Sequence, residues 1–407
     1  MPAVSSAALT FDQARALIAA KLDGVVKTPF PEVVPLERAA GRVLAQDVRA
    51  DRDYPPFARS ARDGFAVRSA DVAEPPARLK VLGETRAGEP SRFEVGPGEA
   101  VEIMTGAPGP AGADCVVMVE YSRREGGDVI LERGVDAGRN LIPQGAESPA
   151  GSLVLARGVR LDYPQIALLA AVGCHRVAVH RRPTAAILST GDEVVDIDRT
   201  PESFQIRNSN AYSLAAQVER RGGEARVLPI APDRLEETRD LIRLGLESDL
   251  LLLSGGVSMG KHDLVEQALA DLGVEISITQ VLIQPGKPFV FGLAGDKPVC
   301  GLPGNPISTM VTFELFARLA LDRLAGRPES PLPFVEARLT KDFRHKPVLT
   351  RFLPARLSGD YHDARVEPIQ WQGSGDLAAV AQANCYLVAS AEREGWSAGE
   401  AIPVLPL

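Results

Sequence analysis

Apolar positions between Thr10 and Leu22 recur at helical spacing. Ala14, Leu17, Ile18 and Leu22 fall on one face, and Thr10 with Gln13 has the capping-box pattern, so this stretch predicts a helix. Residues 32–50 predict a short strand and a helical turn. From Tyr54 the pattern changes. Pro55-Pro56 opens a long loop, and brief apolar runs then follow at 79–82, 100–104, 115–120 and 129–132. Turn clusters separate them, notably Gly106-Ala-Pro-Gly-Pro-Ala-Gly112 and Gly126-Gly127, which is the pattern of a small all-β unit. A helix at 164–172 and a strand at 177–180 come next.

Residues 183–326 alternate apolar strands with amphipathic helices. Strands are expected at 185–189, 225–228, 249–253, 276–282, 289–291 and 299–301. Helices are expected at 209–221, after Asp233 with Glu236 as cap pair, after Asp263 with Glu266, and after Asn305 with Pro306 at the first position. Such alternation predicts a doubly wound, mostly parallel sheet, whose ligands sit beyond the carboxyl ends of the strands. Residues 329–407 lose the helices, and strands at 335–339, 352–357, 365–368, 385–389 and 401–405 predict a small β-barrel or sandwich. The fold class is therefore mixed α/β and multidomain.

Composition narrows the function. A chain of 407 residues suggests two to four domains at about 150 residues each. The net charge of −8 and the 5% aromatic content disfavour nucleic acid as a partner, because phosphate binding shows as a basic stripe and base stacking needs aromatic platforms. The tight basic cluster His180-Arg181-Arg182 reads as a solvated domain edge. Cys115, Cys174, Cys300 and Cys385 form no C-x-x-C pair, which disfavours zinc and a disulfide framework. No signal-peptide pattern and no apolar run of about 18 residues is seen, so the expectation is a cytoplasmic protein with no membrane contact.

Candidate chemistry concentrates in the doubly wound stretch. Ser254-Gly-Gly-Val-Ser-Met-Gly-Lys-His262 follows a buried strand and opens a helix. Its glycines let backbone N–H groups approach an anion, and the helix dipole adds to the attraction. Ser254, Gly255, Gly256, Ser258 and Gly260 are candidate substrate-binding residues there. The loop nearly spells a P-loop, but His262 stands where Ser or Thr holds Mg²⁺, so nucleotide hydrolysis is the alternative. In Gln284-Pro-Gly-Lys287-Pro288, a Lys lies on a stiffened loop, with Pro285 and Gly286 beside it, and suits a phosphate or an anionic metal oxide. Gly301-Leu-Pro-Gly-Asn-Pro306-Ile-Ser308 brings Pro303, Gly304, Asn305 and Ser308 to another helix start. Thr190-Gly-Asp-Glu193 places carboxylates at a strand's end, where they suit Mg²⁺. Asp233 and Asp263 lie at strand ends too, as metal ligands or as helix caps. In a parallel sheet these groups project to one edge. Gly373-Ser-Gly-Asp-Leu-Ala378 weakly resembles a dinucleotide fingerprint and is discounted, because no βαβ unit follows it.

Taken in order, several segments resemble the MoeA family of molybdopterin molybdenumtransferases, to which the C-terminal part of gephyrin is also related. They are Tyr54-Pro-Pro-Phe-Ala-Arg-Ser-Ala-Arg-Asp-Gly-Phe-Ala-Val67, Ile103-Met-Thr-Gly-Ala-Pro108, Gly112-Ala-Asp-Cys-Val-Val-Met-Val-Glu120, Ser189-Thr-Gly-Asp-Glu193 and Ile206-Arg-Asn-Ser-Asn210, followed by the three glycine-bearing loops above. They span essentially the whole chain.

The resemblance implies four domains: an elongated α/β dimerisation domain from 1–53 and 140–180, an inserted β domain at 54–139, a MogA-like doubly wound molybdopterin-binding domain at 181–328, and a C-terminal β-barrel at 329–407. It implies a homodimer that inserts molybdate into adenylyl-molybdopterin with Mg²⁺-dependent release of AMP. Transient contacts with the adenylyltransferase and with molybdoenzyme chaperones are implied as well. The family's catalytic positions fall on Asp63, Thr105, Asp263 and Lys287, and its metal positions on Glu193, Asp233 and Asp263; Ser308 or a neighbour is a further functional position. Three departures stand out: Arg62 where the family usually has Met, Phe65 where Tyr is frequent, and Pro232 before Asp233. A non-catalytic scaffold is the other alternative, although the carboxylates at 63 and 263 are intact.

Overall fold

A computed structural model describes residues 8–26, 30–256, 264–328 and 331–407. The first helix, Phe11–Asp23, starts where its capping box directs: Thr10 Oγ1 accepts from the Gln13 amide, and Gln13 Oε1 accepts from the Thr10 amide. Its buried face, Ala14, Ile18 and Leu22, joins the core built around residues 185–321.

Pro31–Pro35 pairs antiparallel with Arg176–His180, and Val48–Arg49 pairs with Leu153–Leu155. Helix Tyr163–Ala171, capped by Asp162, closes a separate core of Leu44, Leu161, Leu169 and Val179. Between these segments in sequence lies a six-stranded sheet in the order Cys115–Met118, Gly64–Val67, Glu99–Ile103, Ala77–Thr85, Asp128–Leu131, Ser122–Glu125.

One expectation for this region is corrected. The end of the long loop after Pro55 is a central strand, Gly64–Val67, buried along its whole length. Phe65 and Val67 face one core and Ala66 the other. The strand fits because residue 64 is glycine: a Cβ there would stand 2.0 Å from the Val117 carbonyl oxygen. Asp63 therefore sits at the start of a rigid strand and not midway along a loop.

The doubly wound unit has six strands in the order Glu224–Val227, Thr184–Ser189, Leu250–Ser254, Lys297–Leu302, Pro288–Ala294, Glu275–Gln280. The first four are parallel, Pro288–Ala294 runs against them, and Glu275–Gln280 pairs antiparallel to it. Alternate residues serve opposite faces. Ala185, Ile187, Leu250 and Leu252 pack with helix Ser209–Arg220 and with the helical run from Pro306 to Leu324. Ala186, Leu188, Leu251 and Leu253 pack with Leu235–Gly245 and Leu264–Asp271. Both faces are covered, which explains the near-continuous apolar strands.

The C-terminal strands form a closed barrel, since Thr350–Gly359 pairs with both Ala364–Pro368 and Cys385–Ala389 while Val335–Leu339 and Ala401–Pro406 complete the ring. Ile283–Gln284 adds to Thr350 and Arg351, and Phe352, Tyr386 and Leu405 enter the core of the doubly wound unit. The two units share one apolar interior.

The basic cluster is solvated only in part: Arg182 is exposed, but His180 is buried, and Arg181 grips Asp249 through both terminal guanidinium nitrogens at 2.6 and 2.7 Å. Cys115, Cys300 and Cys385 are buried free thiols, and burial pushes Cys115 and Cys300 up to about 12. Among the described residues, no helix is long and apolar enough to cross a membrane.

Candidate active site

The parallel strands end level with one another: Ser189 is in register with Ser254, and Ser254 with Leu302. Their loops consequently rise side by side. Thr190 N–H donates to the Ser254 carbonyl at 3.1 Å, Gly191 N–H to Ala231 at 3.1 Å and Gly255 N–H to Leu302 at 3.2 Å. These bonds extend the sheet's ladder by one residue and lace the loops together.

Two adjoining cavities open above this edge. The larger, about 720 Å³, is lined by Ser189, Thr190, Glu193, Arg207, Asn208, Ser209, Asn210, Ser254, Gly255, Gly304, Asn305 and, from the C-terminal unit, Gly375 and Leu377. The smaller, about 380 Å³, is lined by Thr190, Gly191, Glu193, Asp233, Gly255, Gly256, Pro288, Pro303, Gly304 and Asn305. Thr190, Glu193, Gly255, Gly304 and Asn305 belong to both, so the two form one cleft of ligand-binding size.

Several sequence-predicted residues meet here: Glu193, Asp233, Ser254, Gly255, Gly256, Pro303, Gly304 and Asn305. Gly255 adopts φ +92°, and a Cβ on it would meet the Thr190 carbonyl oxygen at 2.9 Å, so glycine is required for the close approach. Helix Ser209–Arg220 presents its N-terminus to the cleft, capped by Asn208, whose Oδ1 accepts from Ala211 N–H and Ser189 Oγ. A second helix start follows Asn305. The N-terminus of helix Ser209–Arg220 favours an anion in this cleft.

The helix-cap alternatives resolve differently from expectation. Asp233 is not a cap: the following helix, Leu235–Gly245, starts after Arg234 with no side-chain cap bond. The Asp233 amide instead donates to Asp192 Oδ1 at 3.1 Å, which leaves the exposed Asp233 carboxylate at the smaller cavity. Asn305 precedes its helix without a side-chain cap bond, and its side chain is exposed.

Other predicted residues lie elsewhere. Ser308 is buried in the first turns of its helix and lines neither cavity. Pro285 and Gly286 are buried and Lys287 is exposed; only their neighbour Pro288 lines the cleft. Ser258, Gly260 and Asp263, with Lys261 and His262 of the P-loop alternative, lie outside the described residues. Asp63 and Thr105 meet each other on the inserted sheet, where the Thr105 amide and hydroxyl donate to Asp63 Oδ1 at 2.6 and 2.8 Å. These bonds, the amide's first, hold the Asp63 carboxyl below its ordinary value. Neither residue lines this chain's own cleft.

Thr190, Arg207, Ser209 and Asn210 carry no role on sequence alone, although they stand in the family-like motifs. Gly375 and Leu377 belong to the fingerprint-like segment. That segment reaches the cleft because Ile307 N–H donates to the Ser374 carbonyl at 3.0 Å.

Family models match almost the whole chain: the MoeA N-terminal region (domain I and II) over residues 9–173, a probable molybdopterin binding domain over 186–323, and the MoeA C-terminal region (domain IV) over 336–407. A molybdopterin molybdenumtransferase of a Nostoc species is 36% identical over 401 residues, covering 95% of this chain and 90% of the relative. The chain belongs to the MoeA family. A Bacillus subtilis molybdopterin molybdenumtransferase is 34% identical, covering 92% of this chain and 89% of its own. Two Pyrococcus horikoshii structures of MoeA molybdopterin biosynthesis protein superpose with TM-scores of 0.79 and 0.72. They are 29% and 32% identical to this chain and cover 98% of it, and the matches span 100% and 99% of their own lengths. The MoeA-family fold accounts for the doubly wound unit joined to a closed barrel.

Proposed function

We propose that this MoeA-family chain is a molybdopterin molybdenumtransferase of molybdenum cofactor biosynthesis, inserting molybdate into adenylyl-molybdopterin with release of AMP. The observation that carries the proposal is the convergence of three strand-end loops and a helix N-terminus on one anion-favouring cleft. The substrate's phosphoanhydride and the tetrahedral molybdate dianion both suit backbone N–H donors. Catalysis is assigned to positioning and charge stabilisation, with no protein nucleophile in the scheme.

The carboxylates fit a divalent metal. Glu193 and Asp233 are exposed and share one cavity, which suits Mg²⁺ because that ion takes one or two carboxylates and completes its shell with water and phosphate oxygens. Among the described residues, no three His, Cys, Asp or Glu side chains gather into a metal site of their own. Bound there with substrate, Mg²⁺ would neutralise phosphate charge and polarise the bond to AMP. Lys287, beside Pro288, is assigned to an anionic oxygen of substrate or molybdate, and Asp263, outside the described residues, keeps the catalytic and metal role that the family resemblance implies.

We further propose that the chain works as a cytoplasmic homodimer and that Asp63 and Thr105 complete the cleft of the partner subunit, since they do not line their own. The division into 1–53 with 140–180, 54–139, 181–328 and 329–407 is our proposed domain scheme, with helix Phe11–Asp23 as an arm packed on the doubly wound unit. The test is incubation with adenylyl-molybdopterin, molybdate and Mg²⁺, following AMP. Turnover that needs molybdate supports the assignment; no AMP from a folded enzyme with every component present overturns it.

A further inference from the structure

Asn210 links two of the glycine loops. Its carboxamide Nδ2 donates to Ser254 Oγ at 2.8 Å and to the Gly304 carbonyl at 2.7 Å. The amide orientation is forced, because a carbonyl only accepts and a flipped Oδ1 would face the Gly304 oxygen. Both Nδ2 hydrogens are thereby used. Ser254 Oγ spends an acceptor lone pair on Asn210, so its own O–H proton is left to donate elsewhere. Ser254 is 3% exposed and lines the larger cavity. Thr190 Oγ1 is a second buried hydroxyl at the cleft with no hydrogen-bond partner among the described residues.

We propose that Asn210 is a positioning residue that sets the Ser254 hydroxyl as a hydrogen-bond donor to an oxyanion of the substrate, and that holds the 254–256 and 303–305 loops at one separation. The inference rests on the transferase assignment for the identity of the substrate, but its physical content is an oxyanion donor. Without Asn210, the Ser254 lone pair loses its donor and is free to face the anion instead.

The test uses the full chain and four variants: Ser254→Ala, Asn210→Ala, the isosteric Asn210→Asp, and the Ser254→Ala/Asn210→Ala pair. Calorimetric titration with adenylyl-molybdopterin, and separately with molybdate and with inorganic phosphate, reads binding; AMP release reads kcat and KM. A neutral donor lost from an anion weakens binding about 10- to 100-fold, so Ser254→Ala and Asn210→Ala should each lower anion affinity by that factor. KM should rise by the same factor with kcat changed much less. Asn210→Asp should be at least as impaired as the Ala variant, since its carboxylate faces both the Gly304 carbonyl and the ligand. The pair should be no weaker than the worse single variant, which is the signature of one residue acting through the other.

Multiplicative losses in the pair overturn the proposal, as does Ser254→Ala binding every anion like the wild type. That second outcome decides the matter even if the Asn210 variants do not fold. A wild-type protein that binds none of the three anions also overturns it. Wild-type anion binding without AMP release refutes the transferase assignment alone, and the variants still decide the role of Asn210 from the phosphate and molybdate titrations.

Discussion

Asp63 takes two hydrogen bonds from one residue, Thr105, and both favour its charged form. Its folded pKa lies below the ordinary carboxylate value of 3.8, so Asp63 stays ionised through the whole neutral range. In Thr105→Val the amide donor remains and the hydroxyl is lost. The Asp63 midpoint, followed by carboxyl NMR, should then move back up toward 3.8, with little change in melting temperature at neutral pH because the site is exposed. Asp233 gives a sharper residue-scale test. Asn caps a helix as well as Asp does, so a capping role and a metal role separate in Asp233→Asn. Helix Leu235–Gly245 does not use this side chain. The variant should melt within a degree or two of wild type while Mg²⁺-dependent AMP release falls at least about tenfold, a loss near 1.4 kcal/mol of transition-state stabilisation. Sequence could not decide between the roles, because an acidic residue before an apolar helix has the same spacing in either. The backbone bond from Asp233 to Asp192 makes the difference, and it joins residues 41 apart.

Arg181, Thr184 and Asp249 act at the scale of elements. Asp249 precedes strand Leu250–Ser254 and accepts from Arg181, from the Thr184 amide at 2.8 Å and from the Thr184 hydroxyl at 2.9 Å. The clamp pins that strand beside the start of Thr184–Ser189 and fixes the chain's entry from Arg176–His180. Burial, the largest single influence, pushes the Asp249 carboxyl up; the Arg181 and Thr184 donors together outweigh it and bring it to about 2. A folded pKa below the unfolded 3.8 contributes stability that is present above 3.8 and lost as pH falls toward 2. The difference corresponds to about 2 kcal/mol. Urea unfolding at pH 5 and pH 2.5 should show Asp249→Asn already destabilised at pH 5 and losing less than wild type on acidification. Element types were mostly legible: the capping box at Thr10 and the apolar strand Leu250–Ser254 declare themselves locally. Gly64–Val67 did not, because only three apolar residues follow a polar, glycine-bearing stretch. Its strand character comes from flanking partners at 99–103 and 115–118.

At the scale of the molecule, the inserted sheet carries Asp63 and Thr105 while the doubly wound unit carries the cleft. If active sites combine the two across a two-fold axis, mixing an Asp63→Ala chain with a Lys287→Ala chain restores function. Each heterodimer then holds one fully wild-type site and one lacking both groups. Statistical subunit exchange should return about a quarter of the wild-type AMP release from two inactive parents. Complete exchange, shown by native mass spectrometry, with no recovered activity would place each site within a single chain.

The sequence alone determined the architecture's kinds. Strand and helix periodicities, caps and glycine turns are local properties, and they identified the alternating α/β stretch, the β-rich tail and the loops that carry small residues. It also determined the family, through motifs in a fixed order. What it left undecided depends on contacts between distant positions. Only the register of Ser189, Ser254 and Leu302 levels the loops into one cleft. Only the shared core of barrel and doubly wound sheet brings Gly375 and Leu377 to that cleft, although they follow Ser254 by more than 100 residues. Ser308 and His180, which local polarity marks as exposed, are both buried, because burial is a property of what the rest of the chain places over a residue.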